Sequence, residues 1–159
     1  GVPNMYGLVG GEANAVEPGK RMLSSMSPTI VEDPEGRLSL VIGTPGGSTI
    51  ITTVFQVITN VIDFGMDIQE AVSVGRIHHQ WLPDVLEYET RAIAPDVVEN
   101  LEKRGWKVES DDPWGRADGI RVRYQAPTAI PAGDVAVQEG TAIYFGGADP
   151  RGGDVAAGY

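Results

Sequence analysis

The stretch LVIGTPGGSTIITTVFQVITNVIDFG, from Leu40 to Gly65, constrains the fold more than any other part of the chain. It begins as a short β-branched apolar run typical of a buried strand, and it continues with apolar residues at a helical period. Adjacent glycines, Gly46 and Gly47, join the two parts. A β-branched helix of this kind is held by burial against a sheet rather than by its own propensity. The sequence therefore predicts helices layered on a sheet.

The rest of the chain supplies further helices and several short strands. The first helix is expected to begin at Ser48 as its N-cap, and a second follows Asp67, which forms a capping-box pattern with Glu70. Pro95 indicates the first turn of a third helix. The predicted strands are TIVED and LSLVIG, joined as a hairpin, then VLEYE, WKVES, GIRVRYQ, DVAVQ and TAIYFGGAD, with HHQWLPD as a loop. These elements indicate an α+β fold with an antiparallel or mixed sheet.

Composition limits the class of protein and its partners. A length of 159 residues suits one domain, residues 1–159, and no run approaches the roughly 18 apolar residues of a membrane span. The net charge of -10 argues against nucleic acid, so a small solute is the expected ligand. The absence of cysteine excludes disulfides and thiolate nucleophiles. No cofactor motif and no metal-binding spacing is present, and neither is expected.

The Gly46–Gly47 pair has two interpretations. It is either a plain strand-to-helix turn, or a place where backbone N–H groups at the start of a helix hold an oxyanion. A nucleotide-binding P-loop does not fit, because the lysine that should follow its last glycine is missing.

Ser24 and Ser25 also have two interpretations. Their adjacent hydroxyls can donate to a ligand carboxylate in a half-buried site, or they can bind nearby backbone as a turn. A nucleophilic serine would need a neighbouring base and an elbow motif, and neither is evident.

Two other pairs are interpreted as structural. His78 and His79 are adjacent, so their side chains diverge and a shared metal ion is disfavoured; one of them is expected to pack with Trp81. Asp111 and Asp112 precede a proline and are read as solvated turn residues.

Four stretches in order resemble consecutive motifs of the γ-glutamyltranspeptidase family, and the resemblance runs from Gly1 to Tyr159. They are RMLSSMSPTIV, GTPGGSTIITTVFQVITNVIDFGM, RIHHQWLPD and the closing GGADPRGGDVAAGY. The resemblance implies an α+β N-terminal-nucleophile hydrolase fold, an αββα sandwich of which this chain supplies the C-terminal portion of the small subunit. Members cut themselves from a precursor into a large and a small subunit.

The family's activity is cleavage of the γ-glutamyl amide bond of glutathione and related compounds, with transfer to water, amino acids or peptides. An N-terminal threonine forms the γ-glutamyl-enzyme. Carried over by motif, Gly46 and Gly47 form the oxyanion hole, while Ser24 and Ser25 contact the substrate α-carboxylate. The implied partners are the large subunit and the N-terminal part of the small subunit.

No threonine of this chain falls at the matching place, so the nucleophile is expected to precede Gly1 and the chain alone to be inactive. A glutaryl or cephalosporin acylase of the same family, and a noncatalytic binding module of the same fold, stay open as alternatives. Relatives in bacteria imply a periplasmic or secreted location.

Overall fold

A computed structural model describes residues 2–125 and 141–157. The described residues form three helices and seven strands in two sheets. The helices are α1 (Ile50–Ile62), α2 (Ile68–Ser73) and α3 (Pro95–Lys103); the strands are β1 (Thr29–Glu32), β2 (Leu38–Gly43), β3 (Ile77–His78), β4 (Leu86–Glu89), β5 (Val108–Asp111), β6 (Asp118–Tyr124) and β7 (Ala142–Gly147).

The larger sheet is antiparallel, with strand order β1-β2-β6-β7. The predicted hairpin is confirmed as β1 and β2, and its turn includes Gly36 at a φ of 77°. The smaller sheet, β3-β4-β5, is mixed, because β4 and β5 run parallel and α3 connects them. The prediction that His78 opens a loop is wrong. His78 pairs with Glu87 and is therefore the second residue of β3, after Ile77.

The first helix is confirmed, but its predicted N-cap is wrong. Ser48 lies inside a single 3₁₀ turn, Gly47–Thr49, and Thr49 occupies the N-cap position of α1 without a capping side chain. The reason is local: the Gly46 carbonyl already accepts from the Thr49 N–H at 3.1 Å, so the chain enters the helix through a tighter turn.

The start of the second helix is confirmed in detail. The Asp67 side chain accepts from the Glu70 N–H at 2.8 Å, and the Glu70 side chain accepts from the Asp67 N–H at 3.1 Å. This reciprocal pair satisfies two of the amide groups that a helix start leaves without partners.

The core lies between α1, α2 and one face of the larger sheet. Leu40 and Ile42 of β2 are buried against Val57 of α1 and Val72 of α2. The apolar stripe of α1 is wider than this contact, because Ile51 and Phe55 remain 56% and 66% exposed. The opposite face of the sheet exposes Ile30 and Ile120. The described residues thus form one helical layer and one sheet layer, with a second apolar face uncovered.

The predicted strand DVAVQ, residues 134–138, lies outside the described residues. None of the helices in ranges 2–125 and 141–157 has the length and apolar character required to cross a bilayer.

The second helix sits unusually close to the sheet, and two paired glycines permit it. Gly119 of β6 lies opposite Gly147 of β7. A Cβ atom on Gly147 would lie 2.7 Å from the Ile68 carbonyl oxygen, and one on Gly119 would lie 2.8 Å from the Ile68 Cδ1. The first turn of α2 therefore rests directly on these two strands.

We expect Gly147→Ala to lower the free energy of unfolding of the full-length protein by about 1–3 kcal/mol, because a new methyl group meets backbone that cannot move aside. Gly153→Ala is the matched control, since its Cβ would have no neighbour within 4 Å. Urea unfolding measures both variants. Equal stability of the two would contradict the close contact described for α2.

Candidate active site

The glycine turn between β2 and α1 has a backbone that only glycine adopts readily. Gly46 has a φ of 144° and Gly47 a φ of 59°. A Cβ on Gly46 would lie 2.6 Å from Thr49 Oγ1, and a Cβ on Gly47 would lie 2.5 Å from the Tyr6 ring. Both space and dihedral angles thus require glycine at these positions.

The amide groups of this turn are available to a ligand. Within the described ranges, neither the Gly46 N–H nor the Gly47 N–H has a hydrogen-bond partner, although both residues are half-buried. They stand at the amino-terminal end of α1, where backbone N–H groups carry partial positive charge. The arrangement can stabilise an atom that develops negative charge.

Tyr6 covers this turn from the front, which the sequence did not indicate. Residues 3–9 form a small closed loop, in which Asn4 Oδ1 accepts from the N–H groups of Tyr6 and Leu8 at 2.9 and 3.0 Å. The tip of this loop places the Tyr6 ring against Gly47. The sequence gives one general signal: residues 1–20 are rich in turn-forming residues and lack a sustained period, which is typical of a segment that packs on other elements.

The structure brings Ser25, but not the hydroxyl of Ser24, to the glycine turn. Ser25 Oγ donates to the Gly47 carbonyl at 2.6 Å. Ser24 Oγ accepts from the Met26 N–H at 3.1 Å, which is a local turn contact. Adjacent residues thus contact different partners, and their assignment to a substrate carboxylate stays a prediction.

A second loop supports the turn from behind. Thr44 Oγ1 accepts from the Arg116 N–H at 3.0 Å and donates to the Pro45 carbonyl at 2.7 Å. The Cα of Gly115 lies 3.7 Å from the place that a Gly46 Cβ would occupy. Residues 114–117, which we call the backing loop, therefore fix the position of Gly46.

Four charged side chains, three of them buried and the fourth partly buried, hold the backing loop. Arg151 binds Glu89 through both Nε, at 2.7 Å, and Nη2, and it binds Asp149 through Nη1 at 3.0 Å. Arg76 binds Asp149 through Nη2. The side chains of Arg76, Glu89 and Asp149 are all at most 3% exposed, so the cluster is nearly dry.

The cluster reaches the backing loop through three hydrogen bonds. Arg76 Nη1 donates to the Trp114 carbonyl at 2.7 Å, and Glu89 Oε1 accepts from the Trp114 N–H at 3.1 Å. Asp149 Oδ2 accepts from the Ala117 N–H at 2.6 Å. Side chains from three distant parts of the chain therefore converge on one loop beside the glycine turn.

Burial and pairing act in opposite directions on the pKa values of this cluster. Burial raises the pKa of Asp149, but the N–H groups of Arg151 and Ala117 and the Arg76 guanidinium outweigh it and hold that pKa below its usual value of 3.8. Burial lowers the pKa of Arg76 despite its carboxylate partner. For Arg151, the carboxylates of Glu89 and Asp149 overcome burial and raise the pKa. The shifts of Asp149 and Arg151 thus both favour the charged forms of these groups.

The histidine pair has separate partners. His78 is buried between Thr52 and Gln80, whereas His79 Nε2 binds Asp84 at 3.1 Å. The predicted packing with Trp81 is wrong: the aromatic partner of His79 is Trp106, edge-on at 5.6 Å, and Trp81 contributes only its N–H. The sequence does not indicate this contact, because Trp106 lies 27 positions after His79 and is brought near it only by the pairing of β5 with β4.

Comparison with known proteins identifies the class and then the family. The profile of the family described as Gamma-glutamyltranspeptidase matches residues 1–159. The chain is 48% identical over 160 residues to the glutathione hydrolase proenzyme of Escherichia coli, covering 100% of this chain and 24% of that protein. The chain thus spans about a quarter of the length of such relatives.

Solved structures agree in fold as well as sequence. The T380A mutant of the Helicobacter pylori γ-glutamyltranspeptidase superposes with a TM-score of 0.83 at 47% identity, covering 96% of this chain and 74% of that one. An acivicin-inhibited γ-glutamyltranspeptidase gives a TM-score of 0.81 at 47% identity, covering 97% and 74%, and its C-terminus has critical roles in autoprocessing and catalysis. The chain therefore has the α+β fold of an N-terminal-nucleophile hydrolase, in part. It belongs to the γ-glutamyltranspeptidase family.

We expect Asp149→Asn to lower the free energy of unfolding of the full-length protein by about 3 kcal/mol, because it removes the carboxylate partner of the buried Arg76 and leaves Arg151 with Glu89 alone. Asp154→Asn is the matched control. Its ion pair with Arg116 is partly exposed, so the expected cost is below about 1 kcal/mol.

The difference in the free energy of unfolding between Asp149→Asn and the parent protein should decrease as the pH falls. Because the folded-state pKa of Asp149 is depressed, its contribution is fully present above the unfolded value of about 3.8 and is lost as pH falls through the lower folded value. Urea unfolding at several pH values measures this. A difference that is constant down to the lowest pH would contradict the assignment.

Proposed function

We propose that the chain is part of a γ-glutamyltranspeptidase that cleaves the γ-glutamyl amide bond of glutathione and related compounds. The observation that carries the proposal is the glycine turn, in which the N–H groups of Gly46 and Gly47 lack partners in the described structure and sit at the start of α1. Membership of the family and relatives named glutathione hydrolase support the substrate class.

In the proposed reaction the hydroxyl of an N-terminal threonine, contributed from outside these 159 residues, attacks the γ-carbonyl carbon. The carbonyl oxygen becomes negative as the tetrahedral intermediate forms, and the two glycine N–H groups donate to it. The amide C–N bond then breaks, the amine leaves with a proton, and a γ-glutamyl ester remains on the threonine. Water or an amine attacks this ester and releases the γ-glutamyl group.

Ser24 and Ser25 are proposed to recognise the α-carboxylate of the γ-glutamyl group. Ser25 supports this role through its position, because its hydroxyl lies 2.6 Å from the Gly47 carbonyl and so borders the turn. Ser24 would have to turn its hydroxyl away from the Met26 N–H. Neutral hydroxyls suit a carboxylate whose charge is balanced elsewhere, by a cation of the large subunit.

The partners proposed for this chain are the large subunit and the preceding part of the small subunit. The uncovered faces support this: Ile51 and Phe55 on α1, and Ile30 and Ile120 on the sheet, are apolar and exposed in the described structure. Apolar surface of this extent marks contact with further protein. As in the acivicin-inhibited relative, the C-terminal segment is proposed to assist catalysis, here by holding the backing loop through Asp149 and Arg151.

Gly47→Ala tests the role of the turn in the full-length protein. The new methyl group meets the Tyr6 ring and forces the backbone from its φ of 59°, so the donors move away from the reacting oxygen. We expect kcat for p-nitroaniline release from γ-glutamyl-p-nitroanilide to fall about 100-fold or more.

Gly43→Ala is the matched control for that experiment, because it lies at the end of β2 and its Cβ would meet nothing within 4 Å. Its kcat should stay within about twofold of the parent value. An active Gly47→Ala variant would contradict the oxyanion role.

The same assay separates the alternatives. A glutaryl acylase would release p-nitroaniline from the glutaryl anilide in preference to the γ-glutamyl one, and a noncatalytic module would release none from either. The 159-residue chain by itself is expected to release none, because it contributes the donors but not the nucleophile.

A further inference from the structure

Gln80 stands at the end of a line of side chains that begins on α1. Thr52 Oγ1 lies 2.8 Å from His78 Nδ1, and His78 Nε2 lies 3.0 Å from Gln80 Oε1. Gln80 Nε2 then donates to the Tyr6 carbonyl at 2.6 Å and to the Leu82 carbonyl at 3.0 Å. The line connects the helix behind the glycine turn to the loop in front of it.

The partners of Gln80 fix the direction of these bonds. Both groups beside its nitrogen are carbonyls, which only accept, so the amide NH₂ faces them and Oε1 faces the histidine. His78 Nε2 must therefore carry a proton. The other ring nitrogen, Nδ1, lies beside the Thr52 hydroxyl. That hydroxyl also lies 3.1 Å from the Thr49 carbonyl, which is the longer of its two contacts.

The strand that carries His78 is hydrogen-bonded to α1. Gln56 of α1 donates to the Ile77 carbonyl at 2.7 Å and accepts from the Ile77 N–H at 2.9 Å, which ties β3 to the helix. His78, the next residue, is buried. Gln80 therefore extends from an anchored strand.

The loop that Gln80 contacts depends on this side chain for its hydrogen bonding to the rest of the described structure. Across residues 2–125 and 141–157, a single hydrogen bond joins residues 3–9 to the rest of the protein, and it is the one from Gln80 to the Tyr6 carbonyl. All other hydrogen bonds of this loop are internal, through Asn4 and the Pro3–Val9 bridge. The residue that Gln80 grips is also the one whose ring covers Gly47.

We propose that Gln80 is a positioning residue, which holds residues 3–9 so that the Tyr6 ring closes the Gly47 side of the substrate site. The role in turnover rests on the proposed function. Without this tether the loop moves away from Gly47 more often, and bound substrate is lost before it reacts. The loss raises KM more than it lowers kcat, because the groups that perform the chemistry are unchanged.

The test compares Gln80→Met and Gln80→Glu in the full-length protein, with Gln69→Met as matched control. Gln69 also bridges to a distant backbone, donating to the Ala148 carbonyl at 2.8 Å and accepting from its N–H at 3.1 Å, but it makes no hydrogen bond with residues 3–9 in the described structure. We expect KM for γ-glutamyl-p-nitroanilide to rise about 5- to 20-fold in both Gln80 variants, with kcat within about threefold. Gln69→Met should leave KM unchanged.

Gln80→Glu distinguishes the tether from a merely structural contact. Glutamate still accepts from His78 Nε2 but presents an oxygen, not a donor, to the Tyr6 carbonyl. If it kept the parent KM, the proposal would be overturned. A second check is the Tyr6→Ala background, in which Gln80→Met should add little to KM; a full additional rise there would show that Gln80 does not act through Tyr6.

Hydrogen exchange keeps this inference separate from the proposed function. The amides of Tyr6 and Leu8 should exchange faster in both Gln80 variants than in the parent protein or in Gln69→Met. A parent protein without γ-glutamyl turnover would overturn the proposed function, while exchange would still report on the tether. Unchanged exchange in the Gln80 variants would overturn the tether itself.

Discussion

The buried cluster of Arg76, Glu89, Asp149 and Arg151 is the interaction on which the site geometry depends. Two arginines and two carboxylates balance in charge, and nearly every polar atom of the cluster has a partner. Replacing such a cluster with apolar side chains can be neutral for stability, but removing one member leaves a buried charge alone. Its value here is positional, because it binds main-chain atoms of Trp114 and Ala117 that no apolar side chain could hold.

The backing loop connects this cluster to the glycine turn. The backing loop fixes Thr44 and Gly46 from behind, and the Tyr6 loop closes on Gly47 from the front. The buried side of α1 packs on the larger sheet and forms the core of the described residues. The glycine turn is thus confined by two separate segments, residues 3–9 and the backing loop, neither of which is adjacent to it in sequence.

The features that could be predicted from the sequence are those that depend on residues close together in the chain. The capping box of Asp67 and Glu70, the proline at the start of α3 and the β1–β2 hairpin all depend on residues within a few positions, and all were predicted. The glycine turn was placed correctly for the same reason. Ser48 was misjudged because two successive positive φ values reshaped the helix start, and no propensity of serine reports that.

The long-range contacts could not be predicted in this way. Arg76 and Asp149 are 73 positions apart, and Glu89 and Arg151 are 62 apart, so nothing local marks them as partners. The same holds for Tyr6 and Gly47, and for His79 and Trp106. The resemblance to a known family supplied predicted roles for Gly46, Gly47, Ser24 and Ser25, but it did not indicate the side chains that surround them.

The two donors proposed at Gly46 and Gly47 are main-chain groups. Oxidation, alkylation or protonation of a side chain cannot remove a backbone N–H. What can misdirect these groups is rotation of two residues that have no Cβ to restrain them. The contacts of Tyr6 and Gly115 limit that rotation, together with the hydrogen bonds that the Gly46 and Gly47 carbonyls accept. The proposed site is therefore resistant to chemical modification and sensitive to backbone movement, and a small molecule that separates Tyr6 or Gly115 from the turn is expected to disable it without touching a reactive atom.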